Sequence, residues 1–272
     1  MSYYDLTKEE REILKNKIKK LIKSDIEKEK YRNIQKFYSD DDTYIRKNSY
    51  LATGKLYKNS LKLRNNIIFA LKSLFRDKDE KVRQTVIYAL GEIGKVNFKG
   101  IEEIIKQAFT DTHHSVLNAV TGALKQLGEK NTKPTLEFIK NHLQHTDIRI
   151  RVKLLHGLEL RGRTHPDDIL PILAEYQNDS EKKVLDMIIH ILGQISYKEG
   201  CLEKVIRNLK EWENLDLVNK ILKEIVNVHK NYSKFSHLSP DKVKDVIKKE
   251  FDNTYRDRVH ESNGVASRRL TG

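Results

Sequence analysis

The chain has 272 residues, of which 38% are hydrophobic and 33% charged, with a single cysteine and 52 Lys and Arg against 39 Asp and Glu. One cysteine excludes an internal disulfide framework and a four-thiolate zinc site, and suits a reducing, cytoplasmic compartment. No run of 18 apolar residues occurs, so no membrane span is expected, while the net charge of +13 favours polyanionic partners.

The opening twelve residues are polar and charged and do not read as a secretory signal. Residues 7–23 predict an amphipathic helix, with Leu14, Ile18, Leu21 and Ile22 on one face. Thr7…Glu10 and Ser24…Glu27 have the capping-box spacing, which predicts a helix break near Ser24. Residues 1–25 are therefore expected to form an N-terminal capping helix, which a stack of repeats needs at its open end. The next helix, ending in Ile34, Phe37 and Tyr38, opens the first repeat.

From Ile45 a pattern recurs. Thirty-seven residues lead to Val82, and strides of 34 lead on to Val116, Ile150, Val184 and Val218. Four residues after these stand Ser49, Val86, Val120, Leu154, Ile188 and Leu222. Eight residues after stand Thr53, Leu90, Leu124, Leu158, Leu192 and Val226. Offsets 0, +4, +7, +8 and +11 share one face of a 3.6-residue helix. Each such helix follows another, marked in turn by Ile67 and Leu71, by Ile101 and Ile105, by Phe138 and Ile139, and by Ile169 and Leu173. Each unit is thus two antiparallel helices. Together they predict an all-α, right-handed α-solenoid of about six helix pairs over residues 26–229, in one continuous stack. A polar connector, His229 to Ser239, leads to Ser239-Pro240-Asp241, a helix-start signal. Val243, Val246, Ile247 and Phe251 give the apolar face of a C-terminal capping helix within residues 230–260. Residues 261–272 have no periodicity and are expected to be a disordered tail.

The turn between the helices has its own signature. Five residues before each phase-zero position stand Asp40, Asp77, Asp111, His145, Asp179 and Glu213, and one residue after it stand Arg46, Arg83 and Arg151 in three of the units. An acid there caps backbone donors, and the arginine is expected to reach the acid or turn carbonyls of an adjoining unit. Asp77, Arg83, Asp111, Arg151 and Asp179 are the proposed members of this structural ladder.

The run from Phe75 to Gly94 (FRDKDEKVRQTVIYALGEIG) resembles the second half of a HEAT repeat of the bacterial HEAT-like type, also seen in phycobilisome lyases. The resemblance is good again at 178–195 and extends over most of residues 26–229. It implies a stack of helix pairs with a binding surface, without naming what is bound. More distantly, the chain is similar to the HEAT-like alkylpurine DNA glycosylases, whose sites place aromatic residues, notably Trp, around an Asp. That resemblance points to Trp212 and Asp216, but Glu211 and Glu213 beside them are acidic and a second Trp is absent.

No Gly-rich phosphate loop, G-x-S-x-G or H-E-x-x-H is present. Gly91 and Gly94 are expected to cap the end of a repeat helix. His113 and His114 are expected to be solvated turn residues, Cys201 buried and inert, and no metal or cofactor is expected. The segment from Arg149 to His165 is the most basic, and stays open to two readings: cations complementing a helix end, or a phosphate-contacting patch. On the second helices, offsets +2, +3, +6 and +9 leave the apolar stripe and are expected to line the concave face. The candidate binding residues are Lys47, Tyr88, Lys125, Lys153, His156, Arg163 and His190. Together these readings predict a monomeric, non-catalytic scaffold presenting a basic concave surface to a protein partner or nucleic acid. The alternative is a DNA glycosylase of the alkylation-repair type.

Overall fold

Apolar residues spaced three and four apart dictate helices, and the computed structural model contains only helices and turns among the described residues, 3–251. The expected tail at 261–272, and the end of the C-terminal cap beyond Phe251, lie outside the described residues. Backbone contacts divide the chain into two compact units, Met1–Gly157 and Leu158–Gly272. No described helix is long and apolar enough to cross a membrane.

The first unit starts with α1 (Lys8–Lys28), opened by a complete capping box. The Thr7 hydroxyl accepts the Glu10 N–H at 3.2 Å, and the Glu10 carboxylate accepts the Thr7 N–H at 2.8 Å. The break expected at Ser24 does not occur, because Ile22 and Ile26 continue the buried face through it. The helix ends instead at Glu29, which takes the left-handed conformation at φ 53°. The buried Asp25 carboxylate then accepts the N–H groups of Asn33 and Ile34, at 2.7 and 3.0 Å. It thereby caps α2 (Arg32–Tyr38) from the preceding helix.

The second helices of the unit are α3 (Thr43–Asn59), α5 (Glu80–Gly94), α7 (His114–Lys130) and α9 (Ile148–Gly157), each packed on the next, with α1 along α3. The first helices are α2, α4 (Arg64–Leu74), α6 (Glu102–Gln107) and α8 (Thr132–His142). Val82, Leu90, Val116, Leu124 and Ile150 are all buried, as the periodicity requires. Close approach of neighbours is set by small residues. A Cβ on Gly54 would collide with the Glu92 Cβ. Gly91, expected as a C-cap, lies inside α5, and Gly94 is the last residue of the helix, with Lys95 at the cap position. A Cβ on Gly94 would meet Ile101 and Leu127 side chains at 2.6 and 2.8 Å, so its small size serves packing rather than helix termination.

The second unit comprises the short α10 (Glu159–Gly162), α11 (Leu170–Glu175), α12 (Lys182–Ser196), α13 (Leu202–Leu209), α14 (Leu215–Asn231) and α15 (Pro240–Phe251). Here α12 packs between α10 and α14, and α15 lies on α14. Leu158, Val184, Leu192 and Val218 are buried in phase. Pro240 opens α15 and Val243 is its most buried residue, as the start signal implies. The expected connector begins later than His229, which lies inside α14 with its ring buried.

Candidate functional site

The turn before each second helix is built by a two-step relay of hydrogen bonds. Asp40, Asp77 and Asp111 each accept the N–H two residues on, from Asp42, Asp79 and His113, all at 2.9 Å. His145 does the same for Asp147 at 2.9 Å, and Asp179 for Glu181 at 2.8 Å. In four of these turns the receiving residue then caps the helix. Asp42 accepts from Tyr44, Asp79 from Lys81 and Asp147 from Arg149 at 2.8 Å, and His113 Nδ1 from Ser115 at 3.4 Å. His113 is therefore a cap, not a solvated turn residue. The signal was an Asp-x-Asp, Asp-x-His or His-x-Asp pair, of which sequence reasoning used only the first member.

Arg83 clamps this turn to the next. Its Nε and Nη2 donate to the Asp111 carboxylate at 2.7 and 3.2 Å, and its Nη1 to the carbonyls of Asp77 and Lys78 at 2.9 and 3.1 Å. Burial works against the Asp111 charge, but the Arg83 bonds and the His113 N–H hold its carboxyl below the ordinary value. Arg46 bonds the Asp40 and Asp41 carbonyls in the same way. Arg151, half-buried, occupies the equivalent phase on α9.

The outward face of the second helices of the first unit carries most of the candidate binding residues. Lys47 is exposed on α3. Tyr88 on α5 sits beside Tyr50 on α3, ring centroids 5.3 Å apart; sequence reasoning missed Tyr50 because it lies between the chosen offsets. Lys125 on α7 and His156 on α9 meet, Nζ to Nε2, at 2.7 Å. Lys153 donates to the Asn118 side-chain oxygen at 2.6 Å. Burial, and then the nearby Lys125 charge, push the Lys153 ammonium below its ordinary value. Offsets +3 and +9 were expected to face outward throughout, yet Thr85, Ala119, Gly54 and Gly91 are buried between neighbouring second helices. A helix flanked on both sides along a stack has a wider buried arc than one with a single apolar stripe.

Arg163 and His190 belong to the second unit, where both turn to Glu159. The Arg163 Nη2 lies 2.6 Å from the Glu159 carboxylate and 2.9 Å from the Gln194 side-chain oxygen, and the guanidinium sits over the Tyr197 ring at 5.7 Å. His190 Nε2 is 3.5 Å from the other Glu159 oxygen. With Glu159 buried, this arrangement neutralises a carboxylate inside the unit rather than presenting a bare cation. Trp212 is buried and donates its indole N–H to Asn208 at 2.9 Å, so it offers no face to a base, whereas Asp216 is exposed. Cys201 is buried, and burial raises its thiol pKa.

The charge is divided very unequally. Residues 1–157 hold 32 Lys and Arg against 20 Asp and Glu, a net +12, whereas residues 158–272 hold 20 against 19, a net +1. The basic excess is thus a property of the unit that carries Lys47, Tyr88, Lys125 and Lys153.

No curated protein matches the chain. Among solved structures, it is similar to AlkD2 from Streptococcus mutans, at 18% identity over 78% of this chain and 99% of that one, with a TM-score of 0.53. It is also similar to a TOG domain of Crescerin, at 16% identity over 71% and 88% of the two chains, with a TM-score of 0.47. At 18% identity the likeness to AlkD2 is one of fold. The family model of the non-SMC mitotic condensation complex subunit 1 matches residues 24–159, half of the chain. Phase-locked helix pairs, relayed turn caps and that match lead to one conclusion: the chain belongs to the HEAT-like helical-repeat family that this condensation-subunit model describes.

Proposed function

We propose that the chain is a non-catalytic binding platform that holds nucleic acid by its phosphates along the second-helix face of the first unit. The observation that carries this reading is the partition of charge, +12 in residues 1–157 against +1 in the remainder. A composition that was merely lysine-rich would spread its excess over both units, whereas a field confined to one unit steers a polyanion to it. Lys125 and Lys153 add a local reason. Burial and the Lys125 field both disfavour the Lys153 charge, and a phosphate between the two lysines relieves the repulsion. Contacts of this kind read no base edges, so the binding is sequence-independent. The reading needs no cofactor and no second subunit.

The test is titration of the full chain with a fluorescent 20-base-pair duplex at several salt concentrations. Phosphate neutralisation on a duplex gives a log–log slope of about 0.9 per contact, and several contacts cost on the order of a hundredfold between low and physiological salt. Lys47→Glu and Lys153→Glu are each expected to weaken all duplexes equally and to lower the slope by about one. Arg163 is not a useful probe, because its substitution would strand the Glu159 carboxylate. Absence of duplex binding at low salt, with tight binding of polyglutamate, would turn the reading towards an acidic protein partner. Release of an alkylated base from damaged duplex would overturn the non-catalytic half.

A further inference from the structure

At the N-terminal end of the first unit, a groove of about 440 Å³ opens between the 3₁₀ turn Tyr3–Asp5, α1 and α3. That volume lies within the range of about 300–1,000 Å³ of ligand sites. Three tyrosine rings line it. Tyr3 and Tyr44 stack at 5.9 Å, and Tyr4 meets Tyr44 edge-on at 4.4 Å. Tyr3 is buried beneath them, but Tyr4 is 54% and Tyr44 39% exposed. The Arg11 guanidinium lies 5.8 and 5.2 Å from the Tyr3 and Tyr4 ring centres, and its Nε donates to the Leu6 carbonyl at 3.0 Å. These contacts fix the rings and a cation as one body. Lys8, Lys15 and Lys47 also line the groove, against one carboxylate, Glu12, which pairs with Lys15 at 3.4 Å.

What sets these rings apart is that they are clustered and ringed by positive charge, so they suit a ligand with both a flat apolar face and negative charge. An acidic peptide would match the charge and leave the rings uncovered. A duplex would match the charge as well, but it hides its base faces in the stack. An unpaired nucleotide satisfies both demands, with a base on a tyrosine face and flanking phosphates on the lysines. We propose that this tyrosine-lined groove is a single-strand site, taking one unpaired base against Tyr4 or Tyr44 and its phosphates on Lys8, Arg11, Lys15 and Lys47. It deepens, and rests on, the reading of the chain as a nucleic-acid binder, and it shares Lys47 with the second-helix face. It adds a preference for unpaired nucleic acid that the phosphate contacts alone do not supply.

The test compares the full chain with dT12, with an abasic oligomer of equal length, with a 12-base-pair duplex and with polyglutamate. Tyr4→Ala is expected to weaken dT12 by about fivefold to a hundredfold, the range of one lost base–aromatic stack. The abasic oligomer and the duplex are expected to change less than twofold. Tyr4→Trp keeps a stacking face and should retain dT12 affinity, which separates stacking from any loss of folding. The dT12 salt slope should be about 0.7 per phosphate contacted. Equal affinity for dT12 and the abasic oligomer, or indifference to Tyr4→Ala, would overturn the groove while leaving duplex binding by the second-helix face intact. Polyglutamate binding that falls with Tyr4→Ala as far as dT12 does would overturn it in favour of an acidic peptide. If dT12 depends on Tyr4 and is unmoved by Lys153→Glu, with no duplex binding, the groove stands and the second-helix reading falls.

Discussion

Removing the Arg83 guanidinium should expose how much of the repeat stack depends on its turns. The side chain is 17% exposed and its partner Asp111 only 6%, so the pair is largely out of water. One guanidinium supplies two bonds to the Asp111 carboxylate and two to the carbonyls of Asp77 and Lys78. Breaking a fully buried pair costs about 3–5 kcal/mol because a charge is left uncompensated. Here the His113 N–H still serves Asp111, so Arg83→Met should cost about 2–4 kcal/mol. Asp111→Asn keeps an oxygen for that N–H and should cost about 1–2 kcal/mol. The two residues touch, so the double variant should show a coupling of about 1–3 kcal/mol in a urea unfolding cycle followed by circular dichroism. The pH dependence follows from the depressed Asp111 pKa. A carboxyl held lower in the folded than in the unfolded chain contributes stability above its unfolded value of about 3.9, lost as pH falls through the folded value. The coupling should therefore shrink with acid as Asp111 takes up its proton. A coupling below about 0.5 kcal/mol at pH 7, or one that does not change with acid, would refute the clamp.

Leu124→Ala, at a fully buried position on α7, should cost about 2–5 kcal/mol by cavity formation, read from the urea midpoint at unchanged m. Gly94→Ala should cost about 1–3 kcal/mol by overpacking against Ile101 and Leu127, and pairing it with Leu127→Val should recover part of the loss. Full additivity of that pair would mean that Gly94 is not a packing residue. His229 is buried with Nδ1 donating to the Ile225 carbonyl at 2.7 Å, and burial lowers its pKa. Its folded pKa lies below the unfolded value of about 6.5, so its stabilising effect is present above that pH and is lost as pH falls through it. His229→Gln should flatten the stability profile between about pH 7 and pH 5, as measured by urea midpoints.

The helix pairs were legible because a 34-residue stride locks the phase of Val82, Val116, Ile150, Val184 and Val218, and burial of that phase is what makes a repeat stack. Errors came where a residue's role depends on the neighbouring helix rather than on its own. Ser24 carries a capping pattern, but Ile26 buries the next turn, and Asp25 caps a helix that begins seven residues later. Gly94 looks like a terminator in one dimension and is a packing residue in three. Arg163 looks like a free cation after a helix and instead answers Glu159. The tyrosine groove had no one-dimensional signal at all. Tyr3 and Tyr4 are adjacent, Tyr44 stands forty residues after Tyr4, and the three share no period, so only the packing of α1 on α3 brings their rings together.

Phase within the repeat, not residue type, separates cations that hold the fold from cations free to bind, and Lys153 lets that rule be tested. At offset +1, Arg83 faces the turn and a carboxylate, so reversing its charge should destabilise the unit by several kcal/mol. At offset +3, Lys153 faces an amide oxygen and the Lys125 charge. Lys153→Glu removes that repulsion and places a carboxylate near Lys125. A half-exposed pair of this kind is worth about 0–1 kcal/mol. The variant should therefore be as stable as the parent or slightly more so, while its affinity for duplex DNA falls at every sequence and its salt slope drops by about one. A structural lysine would show the opposite pattern, with lost stability and unchanged affinity. That outcome would move Lys153 from the binding surface to the scaffold and leave the basic excess of the first unit to be explained by Lys47 and the groove beside it.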